Sequence, residues 1–173
     1  MKCNWKEKVL DKKEKLGRGW LFNSQLITAE QKHCTAKIIA KEFFKTKGFN
    51  LHLAVAPTKM NDRFEWFLEK ATEIGIHTIT PLLCDHSERK VIKTERFEKI
   101  IQSAMKQSLQ YYLPELKPLT AFKDFISQNF TGQQFIAHCE ETDRKSLKSE
   151  IEPNSDVTIL IGPEGDFSTK EIE

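Results

Sequence analysis

The chain has 173 residues, of which 39% are hydrophobic and 30% charged, and its formal net charge is +2. This length and composition predict one medium domain, or one domain with a small appendage, around a well-developed core. The chain has no apolar run of membrane-spanning length and no signal-peptide core near its start, so we expect a cytoplasmic protein without a membrane partner.

The four cysteines, Cys3, Cys34, Cys84 and Cys139, are scattered and form no Cys-x-x-Cys pair. This distribution favours free thiols over a disulfide framework or a zinc site. Cys84 and His86 together would supply only two metal ligands, so no metal is expected.

Charge is distributed unevenly along the chain. Residues 1–47 contain 12 Lys or Arg and 5 Asp or Glu, whereas the remainder is net acidic. A basic leading segment suits contact with a polyanion. A solvated, lysine-rich surface explains the same charges equally well.

The segment 12–47 is predicted to form short strands. A Gly-Arg-Gly turn precedes Trp20, and apolar residues recur near Leu26 and Ile38. This pattern indicates a piece of a small β-barrel. Residues 46–50, which include a glycine, are the predicted boundary of this unit.

From residue 51 onward the pattern changes to strands that alternate with helices. Residues 51–56 form the first predicted strand, which Pro57 ends. The next helix is predicted to have Asp62 as its N-cap and Gly75 as its C-cap. Residues 76–83 are then predicted to form a second strand.

A longer helix is predicted to start at a Thr94 cap and to be stopped by Pro114, with Ser108 and Leu109 on its buried face. Phenylalanines near residues 122–126 predict a short helix, and residues 134–138 predict another strand.

The end of the chain combines three local signals. Val157–Ile161 is a continuous apolar run typical of a strand buried in a parallel sheet. A Gly-Pro-Glu-Gly turn follows it, and Ser168 with Glu171 forms a predicted capping box for a helix. The alternation of strands and helices predicts an α/β fold whose parallel sheet is covered on both faces. Because the chain ends one turn into this helix, we expect it to be truncated.

The turn at residues 162–165 is a candidate ligand site, because ligands of α/β sheets bind where strands end. It lacks the lysine of a phosphate loop and the spacing of a dinucleotide fold. A structural tight turn is the alternative. The loop after residue 138 is expected at the same edge, where Glu140 is able to accept hydrogen bonds from ligand hydroxyls. A solvated acidic loop is the alternative for Glu140.

Basic residues cluster around the first two strand–helix units. Cations of this kind neutralise phosphates, although interleaved glutamates allow ordinary surface charge as the alternative. The series comprises Lys59, Arg63, His86, Arg89, Lys90, Lys93 and Arg96. No Ser/His/Asp triad or paired-carboxylate arrangement is present to indicate a hydrolase.

Four segments, in this order, resemble the RsmE family of 16S rRNA uracil-N3 methyltransferases, within the trefoil-knotted SPOUT superfamily. They are residues 57–63 followed by 69–75, residues 87–89, residues 104–108 with 112–114 and, most specifically, residues 161–168. The chain departs from the family's usual pattern at Lys106, at Gln110 and at Asp166, where a second glycine is frequent. The family's final segment, which completes the knot, is absent.

The resemblance implies a SPOUT-type parallel sheet with helices on both faces over residues 49–173. A partial PUA-like β-barrel that binds RNA is implied over residues 1–48. It also implies that S-adenosylmethionine is the methyl donor, and that 16S rRNA of the small ribosomal subunit and a second copy of the chain are the partners.

Residue roles follow from the resemblance as well. The predicted cofactor-binding residues are Leu160, Ile161, Gly162, Pro163, Glu164, Gly165 and Glu140. The predicted RNA-binding residues are Lys59, Arg63, Arg89, Lys90 and Arg96, with Arg89 also predicted to stabilise charge in catalysis. A catalytically silent RNA-binding fragment and a nucleotide-binding enzyme of ordinary open α/β topology remain alternatives.

Overall fold

A computed structural model describes residues 17–29, 34–46, 48–139 and 145–173. Two long strands come first, and shorter strands then alternate with helices. The strands are β1 (Trp20–Ala29), β2 (Cys34–Phe43), β3 (Leu51–Val55), β4 (Thr78–Leu83), β5 (Glu115–Leu116), β6 (Thr120–Ala121), β7 (Gln133–Ala137) and β8 (Val157–Ile161). The helices are α1 (Asn61–Ile74), α2 (Thr94–Gln107), α3 (Phe122–Ile126), α4 (Leu147–Glu150) and α5 (Thr169–Ile172).

The main sheet is parallel and has the strand order β5-β4-β3-β8-β7, with β6 pairing the far end of β4. The last strand in the chain, β8, therefore lies between β3 and β7. Val157–Ile161 forms a strand as the sequence predicted. Its interior place explains the continuous apolar run, because both of its edges are paired and most of its side chains are buried.

The core lies on both faces of this sheet. Alternate residues of β3 point to opposite sides, so Leu53 packs in one apolar cluster and Ala54 in the other. On the first side, α1 and α2 contribute Phe64 and Phe97, whose rings lie 5.2 Å apart. On the second side, α3 contributes Phe125. The predicted α/β fold, with helices on both faces, is thus confirmed.

Strands β1 and β2 form a separate antiparallel pair, which confirms that the leading segment contains strands. Hydrogen bonds dock this pair on the segment that follows α2, since Gly19 N–H donates to Tyr111 O at 2.8 Å and Tyr112 Oη donates to Phe44 O at 2.6 Å. The rings of Phe44 and Tyr111 stack with 3.8 Å between centroids. The assignment of this region to a partial PUA-like barrel remains a prediction.

Two predicted helix starts were wrong by one or two residues. Met60 is the N-cap of α1 and Lys93 is the N-cap of α2, and neither has a side-chain capping bond. Asp62 and Thr94 lie inside the first turns instead. Acidic residues suit a first turn electrostatically, so sequence alone does not separate that position from the cap. The Gly75 C-cap is confirmed, in the left-handed conformation.

The predicted end of α2 was also wrong. The helix ends at Gln107, and Leu109 has a positive φ of 54° and is 77% exposed rather than buried. The Ser108 hydroxyl donates to Ala104 O at 2.7 Å. A serine whose hydroxyl bonds to a nearby backbone carbonyl, here that of Ala104, favours a helix end over a helix interior. The helix therefore ends before Pro114 is reached.

None of the helices in the described ranges has the length and apolar character that a bilayer crossing requires.

Candidate functional site

Four strands of the main sheet end at one edge. Ile161 of β8 pairs with Val55 of β3 on one side and with Ala137 of β7 on the other, and β4 runs parallel to β3. Because parallel strands point the same way, the loops that follow them meet at this edge, which we call the carboxyl edge. The glycine turn after β8 and the segment after β7 are therefore neighbours, as predicted.

The turn after β8 is compact. Asp166 N–H donates to Pro163 O at 2.9 Å, and Ala56 N–H donates to Ile161 O at 2.9 Å. A Cβ added to Gly162 would lie 3.0 Å from the ring of Phe167. Phe167 is itself buried against Phe122, with 5.4 Å between ring centroids. Gly162 thus allows the phenylalanine to fold back under the turn.

Glu164 ties the turn to the loop after β3. Lys59 N–H donates to Glu164 Oε1 at 3.0 Å. Hydrogen bonds from the backbone N–H groups of Glu164 itself and of Lys59 lower the pKa of this carboxyl, with help from the charge of Arg63. Glu164 is therefore an ionised anchor for the β3 loop.

Arg89 lies on the loop after β4 and bonds to that β3 loop. Its Nε donates to Thr58 O at 2.9 Å and its Nη2 donates to Lys59 O. The Lys59 ammonium in turn lies 2.9 Å from the carboxylate of Glu88. The loops after β3 and β4 are thus joined by a half-buried guanidinium. The structure places Arg89 at the predicted edge, and its catalytic role stays a prediction.

Asp166 ties the turn to the end of β7. It adopts the left-handed conformation with φ of 62°, and its carboxylate accepts from Cys139 N–H at 2.6 Å and from Phe167 N–H at 2.8 Å. Those two backbone bonds, that of Cys139 first, lower its pKa. The sequence indicated Asp166 only as a departure from the family pattern. An aspartate directly after a glycine turn was the available signal, because aspartate tolerates this conformation.

His86 ties the turn to the loop after β4. Its Nδ1 lies 3.1 Å from Gly165 O and 3.1 Å from Asp166 O. A Cβ added to Gly165 would lie 3.3 Å from the His86 Cβ, so a glycine here lets the imidazole lie close to the turn. From the sequence, His86 was predicted only as a member of the basic series, without a place in the site.

The start of α5 holds the same β4 loop. The predicted capping box of Ser168 and Glu171 is confirmed. Ser168 Oγ also donates to Asp85 Oδ2 at 2.7 Å, and Asp85 N–H donates to Glu171 Oε1 at 3.0 Å. The turn and the α5 cap are therefore fastened to the loops after β3, β4 and β7 by side-chain bonds.

The predicted cofactor-binding residues differ in exposure. Leu160 and Pro163 are buried, whereas Gly165 is exposed. Ile161 is 36% exposed although β8 is an interior strand. An exposed apolar side chain beside accessible glycine backbone suits a ligand with an apolar face and polar edges, such as a nucleoside. Glu140 lies outside the described residues.

The predicted RNA-binding residues do not form one cluster. Arg63 and Lys90 are exposed. Arg96 instead pairs with Glu65, with Nε 2.6 Å from Oε1 and Nη2 2.8 Å from Oε2, which links α2 to α1. Lys59, Arg63 and Arg89 are the members that lie near the turn, Lys59 and Arg63 through their charges on Glu164 and Arg89 through the β3 loop.

Within the part of the chain that the structure describes, no three His, Cys, Asp or Glu side chains come together as a metal-binding group.

A family model described as an RNA methyltransferase domain matches residues 45–173. The chain is 31% identical over 124 residues to ribosomal RNA small subunit methyltransferase E of Rickettsia conorii, covering 71% of this chain and 50% of the relative. The chain spans about half the length of the curated relatives it matches.

Solved structures are similar as well. A probable rRNA methyltransferase from Porphyromonas gingivalis is 37% identical with a TM-score of 0.85, over 90% of this chain and 67% of that one. A putative methyltransferase from Legionella pneumophila, solved in complex with the bound cofactor SAM, is 25% identical with a TM-score of 0.77, over 90% of this chain and 66% of that one.

Proposed function

The chain belongs to the RNA methyltransferase family, and from that premise we propose that it transfers a methyl group from S-adenosylmethionine to N3 of a uridine in 16S rRNA. The observation that carries this proposal is the anchored glycine turn at the carboxyl edge. Glu164, Asp166 and His86 fasten it to three neighbouring loops. A turn that is fixed before the ligand arrives loses little conformational freedom on binding.

The backbone of Leu160, Ile161, Gly162 and Gly165 would hold the adenosyl part of the donor, with Pro163 and Glu164 shaping the turn. The fit rests on the exposed side chain of Ile161 at the end of an interior strand and on the exposed backbone of Gly165. Glu140 is proposed to accept a hydrogen bond from a donor hydroxyl.

When bound, S-adenosylmethionine supplies an electrophilic methyl group and leaves as S-adenosylhomocysteine. The protein orients the uracil, which must leave its stack to reach the edge. Arg89 is proposed to stabilise the negative charge that develops on the ring as N3 loses its proton. A guanidinium has five N–H groups, and two of those of Arg89 are engaged with Thr58 and Lys59.

RNA would be held by positive charge on the segments that follow β3 and β4. Lys59, Arg63, Lys90 and Arg96 are proposed phosphate contacts, and residues 1–48 are proposed as an RNA-binding module. A second copy of the chain is the proposed partner in a dimer, and the cytoplasm is the proposed location.

Calorimetric titration with S-adenosylhomocysteine tests the donor site directly. We expect saturable binding at one site per chain and a marked loss of affinity in Ile161→Asp, which puts a charge at the carboxyl edge beside the turn. Ile126→Asp is the matched control, since Ile126 is a 52% exposed isoleucine at the end of α3, and it should bind like the wild type. A wild-type protein that does not bind would contradict the proposal.

Incubation with small ribosomal subunits and labelled donor tests the acceptor. We expect label in 16S rRNA, recovered as N3-methyluridine after digestion and mass spectrometry. Label at another base or another uridine atom would refute the N3 assignment. Binding of RNA with neither donor binding nor transfer would favour the silent RNA-binding alternative.

A further inference from the structure

The proposed reaction requires a group that removes a proton, because uracil N3 carries a hydrogen that the methyl group replaces. A general base at this site needs a free lone pair near neutral pH and a fixed orientation. Histidine meets the first requirement best, since the imidazole is the side chain that ordinarily titrates between about pH 5 and 8.

The bonds of His86 define which of its nitrogens has the lone pair. Nδ1 lies 3.1 Å from each of two backbone carbonyl oxygens, those of Gly165 and Asp166. Carbonyl oxygens only accept hydrogen bonds, so Nδ1 must carry the proton and donate it. In the neutral ring, Nε2 then holds the lone pair.

The imidazole is exposed, and Nε2 has no hydrogen-bond partner among the residues that the structure describes. His86 projects from the loop after β4 onto the turn proposed to hold the donor. The ring is therefore oriented through one nitrogen, while the other nitrogen belongs to an exposed ring at the carboxyl edge.

Several other charged side chains around His86 are engaged. On its own loop, Asp85 accepts from Ser168, Glu88 pairs with Lys59, and Arg89 donates to backbone carbonyls.

On the turn and on α5, carboxylates act as backbone acceptors. Glu164 accepts from Lys59 N–H, Asp166 from Cys139 N–H and Glu171 from Asp85 N–H. The pKa values of Glu164 and Asp166 are lowered, which makes these two carboxylates poor proton acceptors at neutral pH.

We propose that His86 is the catalytic base of the methyl transfer, accepting the uracil N3 proton on Nε2. This rests on the proposed function. The N3–H bond breaks and its proton moves to Nε2, forming an imidazolium. The electron pair left on N3 forms the new bond to the methyl carbon, while the pair of the methyl–sulfur bond stays on sulfur. The imidazolium later returns the proton to water.

His86→Asn separates the anchoring role from the base. The asparagine Nδ2 lies where Nδ1 does and is able to donate to the same carbonyls, but the side chain has no basic nitrogen. We expect its dissociation constant for S-adenosylhomocysteine to stay within about twofold of the wild type. We expect the single-turnover transfer rate to fall by about 100-fold or more.

His77→Asn is the matched control. His77 lies at the opposite edge of the sheet, where its Nδ1 accepts from Leu51 N–H at 3.1 Å, a bond that an asparagine oxygen is able to replace. The wild-type transfer rate should rise with pH as the catalytic base loses its proton. His77→Asn should keep that rise and His86→Asn should lose it.

Nitrogen-15 NMR of the ring gives a readout that needs no activity. We expect His86 to show a protonated Nδ1 and an unprotonated Nε2 when neutral, with His86→Asn identifying the signals. The opposite tautomer, or an unchanged rate and pH profile in His86→Asn, would overturn the proposal.

Calorimetric titration with S-adenosylhomocysteine distinguishes a failure of the proposed function from a failure of the role of His86. If the wild type fails to bind S-adenosylhomocysteine, the proposed function fails and the role of His86 fails with it. If the wild type binds and transfers methyl groups while His86→Asn is as fast, only the base assignment fails.

Discussion

An aspartate carboxylate accepts backbone hydrogen bonds near each end of β8, but the two ends of the strand differ in what these bonds support. At the amino end, the carboxylate of Asp156 accepts from Asn50 N–H at 2.7 Å and from the Thr131 hydroxyl at 3.3 Å. At the carboxyl end, the carboxylate of Asp166 accepts from Cys139 N–H at 2.6 Å. Each aspartate ties the central strand to a neighbouring segment through backbone N–H groups.

The segments around Asp156 and Asp166 differ. The amino end continues directly into strand pairing, as Gln133 N–H donates to Asp156 O at 2.8 Å and Val157 N–H donates to Asn50 O at 2.9 Å. The carboxyl end continues into an exposed turn on which the imidazole of His86 rests. Similar bonds therefore close the sheet at one end and hold a site in place at the other.

Gly132→Ala should give the largest effect, and it should be an effect on stability. Gly132 has φ of 81°, and an added Cβ would lie 2.0 Å from Asp156 O. The backbone must move, so we expect a loss of about 3 kcal/mol or more in the free energy of unfolding. Urea unfolding measures it. A change below about 0.5 kcal/mol would show that the amino end is not packed as described.

Gly165→Ala should affect function more than stability. The added Cβ would lie 3.3 Å from the His86 Cβ, so the imidazole must shift by a few tenths of an ångström. We expect a stability loss below about 1 kcal/mol but a fall of about tenfold or more in methyl-transfer rate.

Gly48→Ala is the glycine control for both experiments, because among the described residues other than its chain neighbours no atom lies within 4 Å of its added Cβ. It should leave both the unfolding free energy and the transfer rate close to wild type. If Gly165→Ala behaves like Gly48→Ala in the transfer assay, the position of His86 does not matter for the reaction.

These two ends were not equally visible in the sequence. The strand Val157–Ile161 and the capping box of Ser168 were predicted correctly, because an apolar run and a three-residue spacing are local signals. The roles of His86 and Asp166 were missed. Their partners lie 79 and 27 residues away along the chain, so only the sheet order brings them together.

The predicted end of α2 was wrong for a similar reason, because contacts distant in sequence determine where the helix stops. The prediction that Leu109 is buried extended the apolar periodicity of α2 one turn too far. The helix stops where Ser108 bonds back to Ala104 and Leu109 takes a positive φ. The docking of the β1–β2 pair on Tyr111 uses that same segment, and this tertiary contact leaves no periodic pattern in the sequence.

Asp156→Asn and Asp166→Asn should have a moderate and partly shared effect. Hydrogen bonds lower the pKa of both carboxyls, chiefly those from Asn50 N–H and from Cys139 N–H respectively. A lowered folded pKa means that each carboxylate stabilises the fold above its ordinary pKa of about 4, and that this stabilisation is lost as pH falls below it. Each variant should therefore weaken the acid dependence of the unfolding free energy between about pH 5 and 3.

The two variants should differ in ligand binding. Asp166→Asn loosens the tie between the turn and β7, so its dissociation constant for S-adenosylhomocysteine should rise by about threefold to tenfold. Asp156→Asn acts at the far edge and should bind like the wild type. If the two variants bound S-adenosylhomocysteine with equal affinity, the proposal that only the carboxyl end of β8 holds the ligand site would be contradicted.

The smallest effect concerns His52, a half-buried histidine on the β3 strand. Burial is the main cause that lowers its pKa, followed by the charge of Lys117, and its Nε2 lies 2.8 Å from Thr80 Oγ1. The rings of Phe125 and Phe130 lie 5.5 and 6.1 Å from it. Because the folded state resists protonation, the unfolded state binds more protons below about pH 6.5.

The contribution of His52 to the free energy of unfolding should accordingly be largest above pH 6.5 and decrease as pH falls through that value. Urea titrations at pH 7.5 and 5.5 measure the slope, and His52→Gln should reduce it. Thr80→Val removes the hydroxyl but keeps the burial, so the slope should persist if desolvation is the cause. Loss of the slope in Thr80→Val would assign the shift to the hydrogen bond instead, and a slope unchanged in His52→Gln would exclude His52 as its source.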